Sequence, residues 1–279
     1  MKLRAPFRYW GAKVRMAPWV IERLPEHDHF VEVFAGSAAV MAIKPPVAFE
    51  TLNDTYGEVV NFWQVLRDPA LSAELIDMVA ATPYAHSEFR DAGECPPGEM
   101  PVTRAWSFLV RMQMAVVPGR TGWSYCKTGS TGKKANKPGR WANMPELLTV
   151  TAGRFERVQV TDWDACDLIA RLDAPGVLFF CDPPYMNESR PNSTGTSSGY
   201  VEDDFDHGAF LDAVKAAEHA SFAITHYPHP MYDGCDWTCV QDYTSHRNIP
   251  NGDQRRENDR AVERLYLLDR SALRAAKHA

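Results

Sequence analysis

Val177-Leu178-Phe179-Phe180-Cys181-Asp182-Pro183-Pro184-Tyr185 is the stretch on which the fold turns. Five apolar residues without polar alternation predict a strand buried on both faces, as in a parallel sheet. That strand runs straight into an acid, two prolines and an aromatic. Consecutive prolines supply no backbone donors and hold the chain extended. So stiff a turn can aim one carboxylate, one free carbonyl and one ring at a single flat ligand. An exocyclic amine calls for such acceptors, because its lone pair is conjugated with the ring and is a poor nucleophile. The Asp182 carboxylate and the Pro183 carbonyl would accept its two hydrogens and draw the nitrogen toward tetrahedral geometry, with Tyr185 stacked on the ring. Taken alone, the tetrad reads equally well as a surface turn.

The N-terminal half supplies a second constellation. Phe7 to Lys13 reads as a turn-like entry to a short helix around Met16 to Leu24, and His29 to Phe34 as a buried strand. The strand ends at Ala35-Gly36-Ser37, Ala38 to Ile43 starts a helix, and a second strand, Val47 to Leu52, ends at Asn53-Asp54. Strand, small-residue turn, helix, strand, acid is the order of a nucleotide-binding α/β unit. The small turn lets a cofactor approach the backbone, and Asp54 sits where an acid usually accepts from ribose hydroxyls. Neither Gly-x-Gly-x-x-Gly nor Gly-Lys-Ser/Thr occurs, which disfavours dinucleotide and triphosphate binding.

Between these halves the chain reads as helical. Apolar residues recur at helical spacing from Glu58 to Ala81, interrupted at Asp68-Pro69. Asp91 to Pro101 reads as a loop, Arg104 to Val117 and Met144 to Val158 as helices, and Pro118 to Gly139 as a basic, Gly-rich connection. Strands then resume at Val158 to Thr161. Past the tetrad come a Ser/Thr/Gly-rich run at Pro191 to Gly199, a helix at Phe210 to Ala220, and strands at Phe222 to Thr225 and Val262 to Leu268. Strands on both sides of a helical middle predict an insert in an α/β domain, not two domains in tandem.

Charge marks the same insert. The chain of 279 residues carries a formal net charge of -6, which by itself disfavours a nucleic-acid partner. Residues 104 to 157, however, hold 10 Lys/Arg against 2 Asp/Glu. Screening makes phosphate attraction local, so a positive segment on an acidic protein is a candidate binding surface. The 6 cysteines are scattered, without the spacing of a disulfide framework. His226, His229, Cys235 and Cys239 match no common zinc spacing, and no metal site is expected. His207 is expected to start a helix, and Cys181 to be a buried strand residue. With neither an apolar run of membrane-span length nor a signal-type stretch, a cytosolic protein is expected.

Aromatic-x-Gly-x-Lys at Tyr9 to Lys13, Glu-x-Phe-x-Gly-Ser at Glu32 to Ser37, Asn53-Asp54 and then Asp182-Pro183-Pro184-Tyr185 together resemble the Dam-type class of DNA N6-adenine methyltransferases. Asn61 to Asp68, Asp164-Ala165, Asp206-His207 through Leu211 and Phe222 to Tyr232 extend the likeness nearly end to end. The resemblance implies a Rossmann-like, S-adenosylmethionine-dependent α/β methyltransferase sheet over residues 1–62 and 150–279. It also implies a helical inserted target recognition domain over 63–149.

Carried over position by position, the resemblance makes Tyr9, Trp10 and Lys13 a motif closing over S-adenosylmethionine. Glu32, Phe34, Gly36 and Ser37 surround its methionine part, Asp54 binds its ribose, and Asp164 recognises its adenine. Asp182, Pro183, Pro184 and Tyr185 are the catalytic tetrad, acting on an adenine flipped from the duplex. Double-stranded DNA is the implied partner of a monomeric or weakly dimeric chain, in the cytoplasm of a bacterial or phage-infected cell. In the insert, Arg111, Arg120, Lys127, Lys133, Lys134, Lys137 and Arg140 are candidates for phosphate contacts, interleaved with Trp123, Tyr125 and Trp141. There is one departure. The family motif usually reads Gly-Ser-Gly, whereas here Ala38 is third, and its methyl group fits if that backbone is not left-handed. Two alternatives stay open: a catalytically impaired DNA-binding protein of the same fold, or an enzyme acting on cytosine N4 or on RNA adenine.

Overall fold

A computed structural model of the chain describes residues 3–96, 98–126, 136–186, 205–246 and 260–278. Its seven strands are β1 (His29–Glu32), β2 (Phe49–Asn53), β3 (Gln159–Thr161), β4 (Val177–Cys181), β5 (Ser221–His226), β6 (Cys239–His246) and β7 (Arg260–Leu268). They form a mixed sheet in the order β3-β2-β1-β4-β5-β7-β6. The β2–β3, β1–β4 and β4–β5 pairs are parallel, whereas β7 runs antiparallel to both β5 and β6. This is the α/β, Rossmann-like arrangement expected. The order of the parallel strands reverses between β1 and β4, and in open α/β sheets ligands sit at the carboxyl ends of strands beside such a switch.

The chain divides into two compact units. Unit one comprises Met1–Pro18, Ala35–Pro46 and Glu50–Asp162; unit two comprises Trp19–Phe34, Val47–Phe49 and Trp163–Ala279.

Unit one is mostly helical. The helical periodicity over 58–81 breaks at Asp68-Pro69 as expected, into α3 (Gly57–Arg67) and α4 (Pro69–Ala81). Asp68 separates them, its carboxylate capping the Ala70 and Leu71 N–H groups at 2.9 Å while Pro69, lacking an N–H, takes the first helical position. The other long helices are α6 (Pro101–Met114) and α8 (Met144–Phe155), and α3 packs against α4, α6 and α8. At the centre Phe7 meets Phe62 and Phe108 edge to face at 4.9 and 5.0 Å, and Trp63 stacks on Phe155 at 4.5 Å. Each such pair contributes about 0.5–1.5 kcal/mol beyond area burial. Arg154 of α8 is bidentate on Glu50, with one bond of 2.7 Å, and also donates to the Met41 carbonyl at 3.0 Å.

Unit two holds β1, β4, β5, β7 and β6. Its core gathers Val31 and Val33, then Val177, Phe179 and Cys181 of β4, and Phe222 and Ile224 of β5. Against them lie α9 (Ala165–Leu172), through Leu168 and Ile169, and α10 (His207–Ala216), through Phe210, Leu211 and Val214. At the C-terminal side of α9, the Asp173 carboxylate accepts from the N–H groups of residues 218, 219 and 220 just before β5, and those bonds pull its pKa below the usual carboxylate range against the opposing effect of burial. No described helix is long and apolar enough to cross a membrane.

Candidate active site

The Asp182 turn leaves β4 in unit two at the switch point. Glu32 pairs in register with Phe180, and the Val33 N–H donates to the Phe180 carbonyl at 3.0 Å, so β1 and β4 end side by side. Glu32 is buried there and Phe34 half-buried, its ring edge to face with Phe205 and Phe210. Asp182 is half-buried, and the hydroxyl of Thr225, on the neighbouring β5, donates to it at 2.9 Å. Pro183 is buried. Tyr185 is pinned by its hydroxyl, which donates to Glu263 of β7 at 2.9 Å, and by His226 and Tyr227, whose rings meet it at 4.9 and 4.7 Å.

Behind the turn stands a second row that the sequence reading did not assign to the site. His226 is buried and stacks on Tyr232 at 4.3 Å. The Tyr232 hydroxyl lies 2.8 Å from His207 Nδ1, and the Pro184 carbonyl accepts a hydrogen bond from the same imidazole. Burial, reinforced by His229, pushes the His207 pKa down to about 4, so the ring is neutral at physiological pH. Burial likewise raises the Tyr232 phenol and keeps it protonated. His207 does stand at the start of α10, but Asp206 is the cap, accepting from the Ala209 N–H at 2.9 Å. Cys181 is buried, and burial, with Asp182 adding to it, lifts its thiol well above the ordinary range. Among the described residues no His, Cys, Asp and Glu are grouped to hold a metal.

In unit one the glycine turn is held at its backbone groups by the side chains of Asp54 and Trp63. Gly36 is buried with φ +44°, and its N–H donates to Asp54 at 2.8 Å while its carbonyl accepts from the Trp63 indole at 2.9 Å. The other Asp54 oxygen accepts from the Tyr56 N–H at 2.9 Å. Asp54 is therefore a strut of the turn. Tyr9 lies over Gly36, where an added Cβ would meet its ring at 2.6 Å. Lys13 is buried, with its ammonium 2.8 Å from the Gly11 carbonyl. Ala38 has φ 49° and ψ 45°, the left-handed conformation in which its methyl group is strained. Ser37 is buried with its hydroxyl unpartnered among the described residues. An orphaned buried hydroxyl beside a glycine turn fits a polar cofactor group. Asp164, in unit two, is exposed and caps α9, accepting from the Cys166 N–H at 2.8 Å.

The basic insert sorts into distinct groups. Arg104 is committed to Glu58 at 2.6 Å, and Arg154 to Glu50 as above. Arg111 donates to the Gly119 carbonyl at 3.1 Å, bracing a tight loop that is closed by the Ala115–Trp123 bridge. That loop exposes Val116, Val117 and Arg120, and Trp10 packs against it at Gly119. Lys137 and Arg140 lie on α7 (Lys137–Ala142). Lys127, Lys133 and Lys134 lie outside the described residues.

No curated protein matches the chain. Among solved structures, the Escherichia coli protein described as "Putative methyltransferase yhhF" aligns with 92% of this chain and 81% of its own at 14% identity, with a TM-score of 0.31. The family model described as "D12 class N6 adenine-specific DNA methyltransferase" matches residues 9–92, which hold the Tyr9–Lys13 segment, the Gly36 turn and Asp54. Over those residues, and on that match, the chain is similar to the D12 class of N6 adenine-specific DNA methyltransferases.

Proposed function

We propose that this chain transfers a methyl group from S-adenosylmethionine to the N6 amine of an adenine flipped out of double-stranded DNA. The observation that carries the reading is the Asp182 turn, with a carboxylate oriented by Thr225 and an aromatic ring pinned by Glu263 at the switch point of a parallel sheet. Asp182 and the Pro183 carbonyl accept the two hydrogens of the amine. Its lone pair is thereby freed from conjugation, and Tyr185 holds the base. The Gly36 turn, Ser37 and Asp54 bind the cofactor, with Tyr9, Trp10 and Lys13 closing over it; Glu32, Phe34 and Asp164 complete that set. When bound, the cofactor supplies an electrophilic methyl group on a good leaving group. The chain's own contribution is positioning and fixed acceptors, which need no reorganisation during the reaction. Residues 1–62 and 150–279 serve as the catalytic part. Residues 63–149 serve target recognition, where Arg111, Arg120, Lys127, Lys133, Lys134, Lys137 and Arg140 meet phosphates.

The test is transfer of radiolabel from S-adenosylmethionine to duplex DNA, followed by nucleoside analysis. N6-methyladenine is expected; label only in N4-methylcytosine or only in RNA would overturn the substrate assignment. Left-handed Ala38 favours one second reading, a DNA-binding protein with weakened cofactor affinity. DNA binding without any transfer at saturating cofactor would establish it instead.

A further inference from the structure

Apart from the glycine turn, unit one contains a cavity of about 270 Å³ that gathers three cations against two aromatic rings. Arg8, Lys137 and Arg140 line it with Tyr84, Gln113 and Trp141. These residues come from the N-terminal segment, the chain after α4, and from α6 and α7, so the fold itself assembles the cluster. Like charges held together repel, and the arrangement is costly unless an anion offsets it. Unlike Arg104 and Arg154, none of the three is ion-paired with an acid among the described residues. The pKa values of Arg8 and Lys137 are both lowered, by burial first and then by neighbouring cations, Arg140 acting on each and Arg8 also on Lys137.

Two further features suit the cavity to an anion with a flat or apolar attachment. Arg8 is pre-positioned: it donates to the Ala115 and Val116 carbonyls at 3.2 Å, using two of the five donors a guanidinium carries. The polar atoms of the aromatics are already satisfied. The Trp141 indole donates to the Thr82 carbonyl at 2.7 Å and the Tyr84 hydroxyl to the Ser124 carbonyl at 2.5 Å, which leaves their rings as apolar walls. Small-ligand sites span about 300–1,000 Å³, so a volume just below that range holds a single nucleotide-sized group and excludes a whole cofactor.

We propose that this cavity is a phosphate-ester pocket, taking one phosphate between Arg8, Lys137 and Arg140 and its attached sugar or base against Trp141 and Tyr84. Its chemistry stands on the cavity alone. Its source rests on the function proposed above, which makes the phosphate one of the DNA backbone.

The experiment compares the wild-type chain with Lys137→Gln, Arg140→Gln and the double variant, with thermal melting as the folding control. Calorimetry follows deoxycytidine 5′-monophosphate and uncharged deoxycytidine, and anisotropy follows a short labelled duplex across salt concentration. The monophosphate should bind the wild type, the uncharged nucleoside should not, and the double variant should lose roughly 10-fold or more in monophosphate affinity, as for loss of charge-assisted bonds. Duplex affinity should fall with it, and its slope against log salt should flatten by about 0.9 for each phosphate no longer neutralised. Lost monophosphate binding with an unaltered duplex slope upholds the pocket and assigns it to a free phosphate ester. A double variant that melts normally and matches wild type with both probes overturns it, whether or not the chain methylates DNA. Conversely, a wild type that never methylates DNA, yet binds monophosphate through Lys137 and Arg140, removes the function proposed above and keeps the pocket.

Discussion

The turn that follows β1 is gripped at its backbone groups, by the side chains of Asp54 and Trp63, whereas the turn that follows β4 is gripped at its side chains, by residues of neighbouring strands. At Gly36 the backbone N–H and carbonyl are both bonded, to Asp54 and Trp63, and two residues on Ala38 is left-handed. At the Asp182 turn the fixing contacts include the side chains of Thr225, Glu263, His226 and, through Pro184, His207. A turn held at its backbone tolerates few added atoms and needs the Asp54 and Trp63 side chains that bond it. A turn held at its own side chains lets conservative changes of volume pass, while loss of one of its polar atoms does not. The two turns should therefore fail in different ways when mutated.

The largest effect belongs to the β4 turn. Asp182→Ala removes the carboxylate proposed to accept from the amine and leaves the Thr225 hydroxyl without that acceptor. Methyl transfer should drop about 10²- to 10⁴-fold, the range for losing one fixed electrostatic group, while affinity for S-adenosylmethionine is retained. Single-turnover transfer and calorimetric titration of the cofactor measure the two separately. Near-native turnover would remove Asp182 from the chemistry.

At the glycine turn the expected losses are in stability and cofactor affinity. Gly36→Ala places a methyl group 2.6 Å from the Tyr9 ring, in a left-handed backbone that costs an L-residue about 1–2 kcal/mol. A lower melting temperature and weaker cofactor binding should appear together. Ala38→Gly runs the other way. It relieves a φ of 49°, and after the added entropy of a glycine in the unfolded chain the net gain should be about 0.5–1 kcal/mol. Opposite signs two residues apart would sharpen the contrast with the β4 turn; equal destabilisation would break it.

Much of this was legible because the signals were local. A five-residue apolar run ending in Asp-Pro-Pro-Tyr yields β4 at Val177–Cys181, and Asp68-Pro69 marks where one periodic segment becomes two helices, the second capped by Asp68. Less legible was whatever depends on pairing across distance. β6 carries polar residues along most of its length and shows no apolar alternation. As an edge strand, paired among the described strands with β7, it needs no buried face to be held. Thr225, Glu263 and His226 reach the Asp182 turn only because β4, β5 and β7 lie adjacent, and no spacing in the chain announces it. His207 carried a local signal, a position beside the capping Asp206, and that signal explained its place in the helix and hid its contact with Pro184. Summed charge misled in the same way, for Arg104 and Arg154 belong to the core's own ion pairs.

The smallest effect tests the second row of the β4 turn. Because His207 is held neutral in the fold with a pKa of about 4, against 6.5 for a free imidazole, the unfolded chain takes up its proton at a higher pH than the folded chain does. Stability from this site is fully present above pH 6.5 and falls as pH drops from there toward 4. His207→Gln keeps an amide able to donate to Pro184 or accept from Tyr232 but has nothing to titrate. At neutral pH the variant should melt below the wild type, and the gap should narrow as pH is lowered through that window. Carboxylates titrating over the same range act on both proteins and cancel in the difference. A gap that stays constant or widens toward acid would mean that His207 is not the neutral support of the Pro184 carbonyl, and would take His207 out of the contacts that hold the β4 turn.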